Sequence, residues 1–386
     1  MSYSNALNWL FRQTRAGNPR DPERMRRLIA TLKLHQPPKS IHVVGTNGKG
    51  SVSHLIAGGL SAAGLKVGRF SSPHVEDFRE RIVVNGREIG KREVIDFVEE
   101  VKGLEPPYAF FELSFALALK TFAEHDVDIA VVEAGVGARQ DATVILENVI
   151  LSILTNVSLD HQETLGGSLE AITKDKAHVM RPNVPFVTSE RNPLVLDGLR
   201  QHADGLKAPF YSPGETPELF EFVGEVHSDV DKQNKRLAYA ALRLLDIEEH
   251  HIIEGLENAA PLPARQERFI TGNKTVILDG GHNVAAVAAL AETVGQADIL
   301  LFGSLAKREG KDLFDILRPQ FSKLIVTSVE GARPEWLEPT QTFIPNSLNA
   351  LETALETLPP NGTLVVAGSL YLAGQLRMRL RDLVRG

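Results

Sequence analysis

The sequence predicts an α/β protein, with an N-terminal parallel-sheet domain of the P-loop ATPase type and a C-terminal Rossmann-like α/β domain. The first observation behind this is IHVVGTNGKGSVSHLIAGGL, Ile41 to Leu60, which passes from a short apolar strand through a glycine-rich turn into a helix. The second is the pair of apolar strands DIAVVE and VILSIL, each ending in polar residues. The third is a fresh series after residue 260. There TVILDGGHN, ADILLFGS, KLIVTS and TLVVAGS alternate with helical segments, the pattern of a parallel sheet. The proline-rich PLPARQERF reads as a linker, which places the domains at 1–260 and 261–386.

A chain of 386 residues, 43% hydrophobic and 24% charged, can bury large cores. A net charge of -7 without a dense Lys/Arg block argues against a nucleic-acid partner. No apolar run approaches the roughly 20 residues that span a bilayer, and the N-terminus lacks a signal-peptide core, so the expected location is cytoplasmic with no membrane partner. Zero cysteines exclude disulfides and thiolate metal sites, leaving oxygen and imidazole ligands, for which magnesium is the best match.

In chain order, DPERMRRLIATL offers Asp21 as the cap of an amphipathic helix whose arginines form a solvated face. The loop Gly45, Thr46, Asn47, Gly48, Lys49, Gly50, Ser51 follows a strand and opens a helix, so its N–H groups can hold a phosphate. Lys49 would neutralise phosphate oxygens and Ser51 could ligate Mg²⁺. The loop is shorter than GxxxxGK[ST], and Gly50 separates lysine from hydroxyl. KVGRF is a second strand leading to the polar SSPH, in which Ser72 is by itself more commonly a turn former than a ligand. A helix is expected from about Lys91 to Val101. Pro106 and Pro107 break the chain before a buried helix containing Phe110, Phe111 and Glu112. The two rings are more commonly core than ligand contacts, whereas Glu112 needs a pairing cation beside so much apolar surface.

Glu133 ends one strand, and a turn with Arg139 and Asp141 follows; the next strand leads to Asn156, Asp160 and His161. Ligands of open parallel sheets bind beyond such C-terminal strand ends, so Glu133 and His161 are metal candidates on the edge that carries Lys49. Ser168 caps a helix bearing Lys176, whose bland reading is an exposed lysine. Residues 193–231 read as irregular, and the helix after them brings Gln233 and Asn234 to its first turn, where either amide could meet a nucleotide. Asp279, His282 and Asn283 stand at the first strand end of the second domain and suggest an interdomain active site, with helix capping by Asn283 as the bland alternative.

The order of GTNGKGS, SSPH, FFE, VVEAGVGARQDAT, LDH, KDKAHV, LDGGHN and GSLYL resembles the bacterial folylpolyglutamate synthase and dihydrofolate synthase family of the Mur ligase superfamily. The chain has EAGVGARQDAT where that family has EVGLGGRLDAT, KDKAHV for EKAGI, DGGHN for DGAHN and PAR for PGR, departures that bear on substrate preference. The resemblance implies ATP bound by the Lys49 loop with Asn234, Arg265, Asp279 and His282. It implies Mg²⁺ near Ser51, Ser72, Glu133 and His161, with a second Mg²⁺ at Lys176 carbamylated by CO₂. Lys49, Lys176 and His161 would be the catalytic set, and Phe110, Phe111, Glu112 and Gln140 the pterin-side pocket.

The implied reaction is ATP-dependent ligation of L-glutamate to dihydropteroate or to the γ-carboxylate of a folate, through an acyl phosphate, with small-molecule partners; the oligomeric state is not written in the sequence, and a monomer is the working expectation. Two alternatives stand beside it. A murein-type amino-acid ligase would share the ATP site, and a non-catalytic nucleotide switch would need only the first α/β unit.

Overall fold

The computed structural model describes residues 1–13, 20–105, 107–304, 309–329 and 332–385; Pro106, expected as a breaker, lies outside them. The chain divides into two compact units, Met1–His74 with Phe78–Ala259, and Val75–Asp77 with Ala260–Gly386. A single boundary at 260/261 makes no provision for the short segment Val75–Asp77, which groups with the second unit.

In the first unit the described strands are β1 Ser40–Val44, β2 Val67–Phe70, β3 Ile82–Val84, β4 Arg87–Glu88, β5 Ile129–Glu133, β6 Val149–Leu154, β7 Phe186–Thr188 and β8 Phe210–Tyr211. They form one sheet in the order β4-β3-β2-β5-β1-β6-β7-β8, parallel from β2 to β8 and closed on one side by the antiparallel β3 and β4. Side chains alternate across a strand, and β5 shows the result. Ile129 and Val131 join a core with the helices Lys49–Ala62 and Asp229–Arg243, whereas Ala130 and Val132 join the opposite core with the helix Phe110–Glu124.

Because β1 lies at the centre, all five of its residues are buried, including the polar His42. His42 Nε2 meets Thr143 Oγ1 at 2.8 Å, and burial, with the charge of Arg181, lowers its pKa to about 3. The arginines of the helix Pro22–Leu32 are not uniformly solvated. Arg24 pairs with Glu112, which supplies the cation that the buried carboxylate required.

The region expected to be irregular contains a 14-residue helix, Pro193–Leu206. Asn192 caps it and Val195, Leu199 and Ala203 form its buried stripe, but Gly198 and Gly205 dilute the helical signal. A further helix, Glu249–Glu257, packs on the helix Lys49–Ala62 with backbone against backbone. A Cβ on Gly255 would lie 2.4 Å from Gly59 Cα.

The second unit contains β9 Glu267–Thr271, β10 Lys274–Leu278, β11 Ala297–Phe302, β12 Phe321–Val326, β13 Thr342–Phe343 and β14 Thr363–Ala367, in the order β13-β12-β11-β14-β10-β9. The four apolar segments read from sequence are β10, β11, β12 and β14, all parallel. The end of the expected linker is instead the antiparallel edge strand β9, paired with β10. Val276 and Leu278 face one core, and Ile277 the other.

Candidate functional site

β5 and β6 follow one another in sequence but are not neighbours in the sheet; β1 lies between them. The loop leaving β1 is therefore flanked by both strand ends. Gly45 adopts φ 148, and a Cβ there would fall 1.8 Å from Thr155 Oγ1, so only glycine can stand at this position. Thr155 Oγ1 donates to Asn47 O at 2.6 Å, Asn156 Nδ2 donates to the same oxygen at 3.2 Å, and Asn47 N donates to Asn156 Oδ1 at 3.1 Å. In the sequence Asn156 is visible only as a strand-end residue, and nothing singles out Thr155 beyond the polar TNVS directly after VILSIL.

Gly48, at φ 82, caps the helix Lys49–Ala62, and a Cβ on it would come within 2.6 Å of Asn234 Oδ1. This brings Asn234 against the loop, while Gln233 is exposed. The first-turn N–H groups of Lys49, Gly50 and Ser51 have no partner one turn earlier in the helix and carry the positive end of its dipole. Lys49 Nζ folds back to Gly45 O at 3.2 Å and Thr46 O at 3.0 Å.

Lys176 is buried, which overturns its bland reading as an exposed lysine. Its Nζ donates to Gly45 O at 2.7 Å. Burial, reinforced by the nearby charge of Lys49, lowers its pKa to about 7. The buried amine therefore gives up its proton more readily than an exposed lysine would.

Glu133 is buried at the end of β5 and accepts from Ser72 N at 3.1 Å. Its Oε2 sits 3.4 Å from where a Cβ of Gly50 would be, so the glycine between lysine and serine lets a carboxylate approach the loop. A buried carboxylate with the hydroxyls of Ser51 and Ser72 is a hard-oxygen donor set that fits Mg²⁺. Among the described residues no group of three or more His, Asp or Glu side chains is placed to hold a metal ion. His161, at φ 49, lies on the loop beyond β6, half exposed, with its Nε2 3.9 Å from Asp160 Oδ1.

The strand-end turn after Glu133 is held by Asp141. Its Oδ2 accepts from Gly135 N and Val136 N, both at 3.1 Å, and its Oδ1 from Thr143 N at 3.0 Å. Phe111 packs over this turn, since a Cβ on Gly135 would meet its ring at 2.8 Å. Phe110 lies between Phe11 and Phe78 with the Arg81 guanidinium 4.9 Å from its centroid. Glu112 accepts from Ala109 N at 2.7 Å and from Arg24, which ties it to the start of its own helix. Gln140 is exposed.

In the second unit Asp279 is buried just past β10, and burial raises its pKa against the pull of its hydrogen bonds. Its Oδ1 accepts from Gly281 N at 2.7 Å and its Oδ2 from Gln266 N at 3.0 Å, bracing the turn that presents Arg265. His282 Nδ1 lies 3.0 Å from Gly280 O. Asn283 caps the helix Val284–Val294 through Ala286 N.

A glycine-rich loop between two polar strand ends, with a buried carboxylate and a second lysine beside it, is an arrangement suited to nucleotide phosphates. The Mur ligase middle domain model matches residues 43–187, which hold the loop, Glu133 and Lys176. The chain is 30% identical to folylpolyglutamate synthase of Lacticaseibacillus casei over 98% of this chain and 99% of that one. It belongs to the folylpolyglutamate synthase/dihydrofolate synthase family. It is also 33% identical to a probable bifunctional folylpolyglutamate synthase/dihydropteroate synthase of Halobacterium salinarum, of which it spans about half, 52%. The Yersinia pestis bifunctional folylpolyglutamate synthase/dihydrofolate synthase, solved with AMPPNP and a Mn ion, superposes with TM-score 0.84 at 25% identity over 99% of this chain and 98% of that one.

Proposed function

We propose that this protein joins L-glutamate to dihydropteroate, to the γ-carboxylate of a folate, or to both, at the expense of ATP. The observation that carries the reading is the convergence of Lys176 and Glu133 on the seven-residue loop that also carries Lys49. The Yersinia pestis relative, with an ATP analogue and a divalent ion, supports the same nucleotide and metal requirement here.

An ionised carboxylate is a poor electrophile, so the acceptor must first be activated. Loop N–H groups hold the phosphates, and Lys49 exchanges its carbonyl partners for phosphate oxygens. The acceptor carboxylate oxygen attacks the γ-phosphorus, the bond to the β-bridging oxygen breaks, and ADP leaves from an acyl phosphate. The glutamate amine then attacks the acyl carbon, releasing phosphate and a proton and forming the amide. Glu133, Ser51, Ser72 and His161 would hold Mg²⁺, which when bound supplies positive charge to the phosphoryl oxygens. Lys176 as a carbamate would turn a cation into an anion suited to a second Mg²⁺.

Asn234, Arg265, Asp279 and His282 are proposed nucleotide contacts, and Phe110, Phe111, Glu112 and Gln140 proposed pterin-side residues. We assign small-molecule substrates only, a monomeric state and a cytoplasmic location. Among the described residues no helix is long and apolar enough to cross a membrane.

The test is phosphate release and product mass after incubation with ATP, L-glutamate and either dihydropteroate or a folate. Glutamate-dependent release with a product heavier by one or more glutamyl units is expected. ATP binding without release above background for either acceptor overturns the ligase reading.

A further inference from the structure

The turn that presents Arg265 is built from residues in an unfavourable conformation. Ala264 and Gln266 both adopt φ 52, the left-handed region that non-glycine residues rarely occupy because Cβ crowds the backbone there. Such a turn persists only where its surroundings hold it. Gln266 N is taken by Asp279, a residue already assigned to the site. The other clamp is different: Ala264 N donates to Glu267 Oε2 at 3.0 Å, and Glu267 is itself gripped by Arg377 from the helix Leu370–Arg385. Arg377 Nε donates to Glu267 Oε2 at 2.7 Å and its Nη2 to Oε1 at 2.8 Å, a two-pronged pair that fixes the carboxylate plane. The remaining nitrogen, Nη1, donates to Glu76 Oε2 at 2.7 Å. Glu76 belongs to the Val75–Asp77 segment of the same unit, and the segment lies close because a Cβ on Gly374 would be only 2.3 Å from Val75 O. The fork to Glu267 is partly buried, whereas the bond to Glu76 lies at the surface, so the Glu267 pair is the less screened of the two.

We infer that Arg377 is a positioning residue for nucleotide binding, which acts through Glu267 on the left-handed turn that presents Arg265 and anchors the Val75–Asp77 segment to the same guanidinium. The inference rests on the proposed role of Arg265. Loss of the fork frees Glu267 to turn away from Ala264 N, and the turn relaxes toward an ordinary conformation with Arg265 displaced.

The test compares steady-state kinetics of the full chain with R265A, R377Q, R377K and R265A/R377Q, with thermal melting to verify folding. R377Q is expected to raise KM for ATP about tenfold while KM for L-glutamate changes less than about twofold. R377K, which keeps charge without the planar fork, should recover part of the loss. The double variant should be no worse than R265A alone, since both act on one contact. If R377Q does not fold, E267Q, which retains an acceptor for Ala264 N, is expected to give the same selective rise at smaller size. If R265A raises KM for ATP while R377Q and E267Q alter only the melting temperature, the positioning role is overturned and the nucleotide role of Arg265 stands. If R265A leaves KM for ATP unchanged, the reading of Arg265 fails and this inference falls with it.

Discussion

The two turns that carry candidate nucleotide residues reach unusual backbone conformations by opposite means. At Gly45 the chain passes so near Thr155 that no side chain fits, and glycine is required by space as well as by φ. At Ala264 and Gln266 there is room for side chains, and the left-handed conformation is held by the carboxylates of Glu267 and Asp279. The first device is written in the residue type itself. The second is written in partners 3 and 13 positions away, and so is far less visible in a sequence.

The largest effect that would sharpen this contrast is expected from G45A. Its methyl group would clash with Thr155 Oγ1 and still lie 3.0 Å from Thr155 Cβ, so adding T155A should not restore activity. ATP-dependent phosphate release should fall by roughly 100-fold or more with a loss of about 2 kcal/mol in stability, read by urea unfolding. K49A comes next. It should lower kcat about 100-fold while leaving the melting temperature within a degree or two, because the hydrogen bonds of Lys49 among the described residues go to carbonyls of its own loop.

E133Q preserves shape and the acceptor for Ser72 N but removes charge; a titration should show at least about a tenfold higher Mg²⁺ requirement. An unchanged requirement would remove Glu133 from the metal site. The pH dependence of stability isolates Lys176. Its folded pKa of about 7 is below the ordinary 10.5, so between these values the unfolded chain binds more protons and stability rises with pH. Below about 7 both states are protonated and the cost of the buried charge is fully present. K176M should flatten the rise in urea midpoint between about pH 7 and 9; an unchanged slope would show that Lys176 is not its source. The smallest effect belongs to A264G, which should change stability by no more than about 0.5 kcal/mol, as relief of left-handed strain is offset by a more flexible unfolded chain. A loss as large as that of G45A would erase the distinction between the two turns.

Much of the fold was legible because parallel strands buried on both faces read as apolar runs that end abruptly, as DIAVVE and TVILDGG do. The helix Pro193–Leu206 was missed because two glycines interrupt its pattern, and β9 was hidden in a segment that opens with prolines. At the candidate site, the proximity of the loop, Glu133 and Asn234 could be anticipated from residue type and place. The burial of Lys176, the grip of Thr155 on Asn47 and the Arg24–Glu112 pair did not. Each joins residues 88 or more positions apart, or depends on what covers a side chain, which local pattern does not encode.

The glycine contact between Gly255 and Gly59 bears on how the phosphate loop can vary. A helix transmits displacement along its axis, and Lys49 heads the same rod about 15 Å from Gly59. One methyl group at residue 255 would press on backbone that has no side chain to yield. If the loop holds a nucleotide as proposed, a substitution at this distant tail should be felt as a loss of nucleotide affinity although it never approaches the ligand.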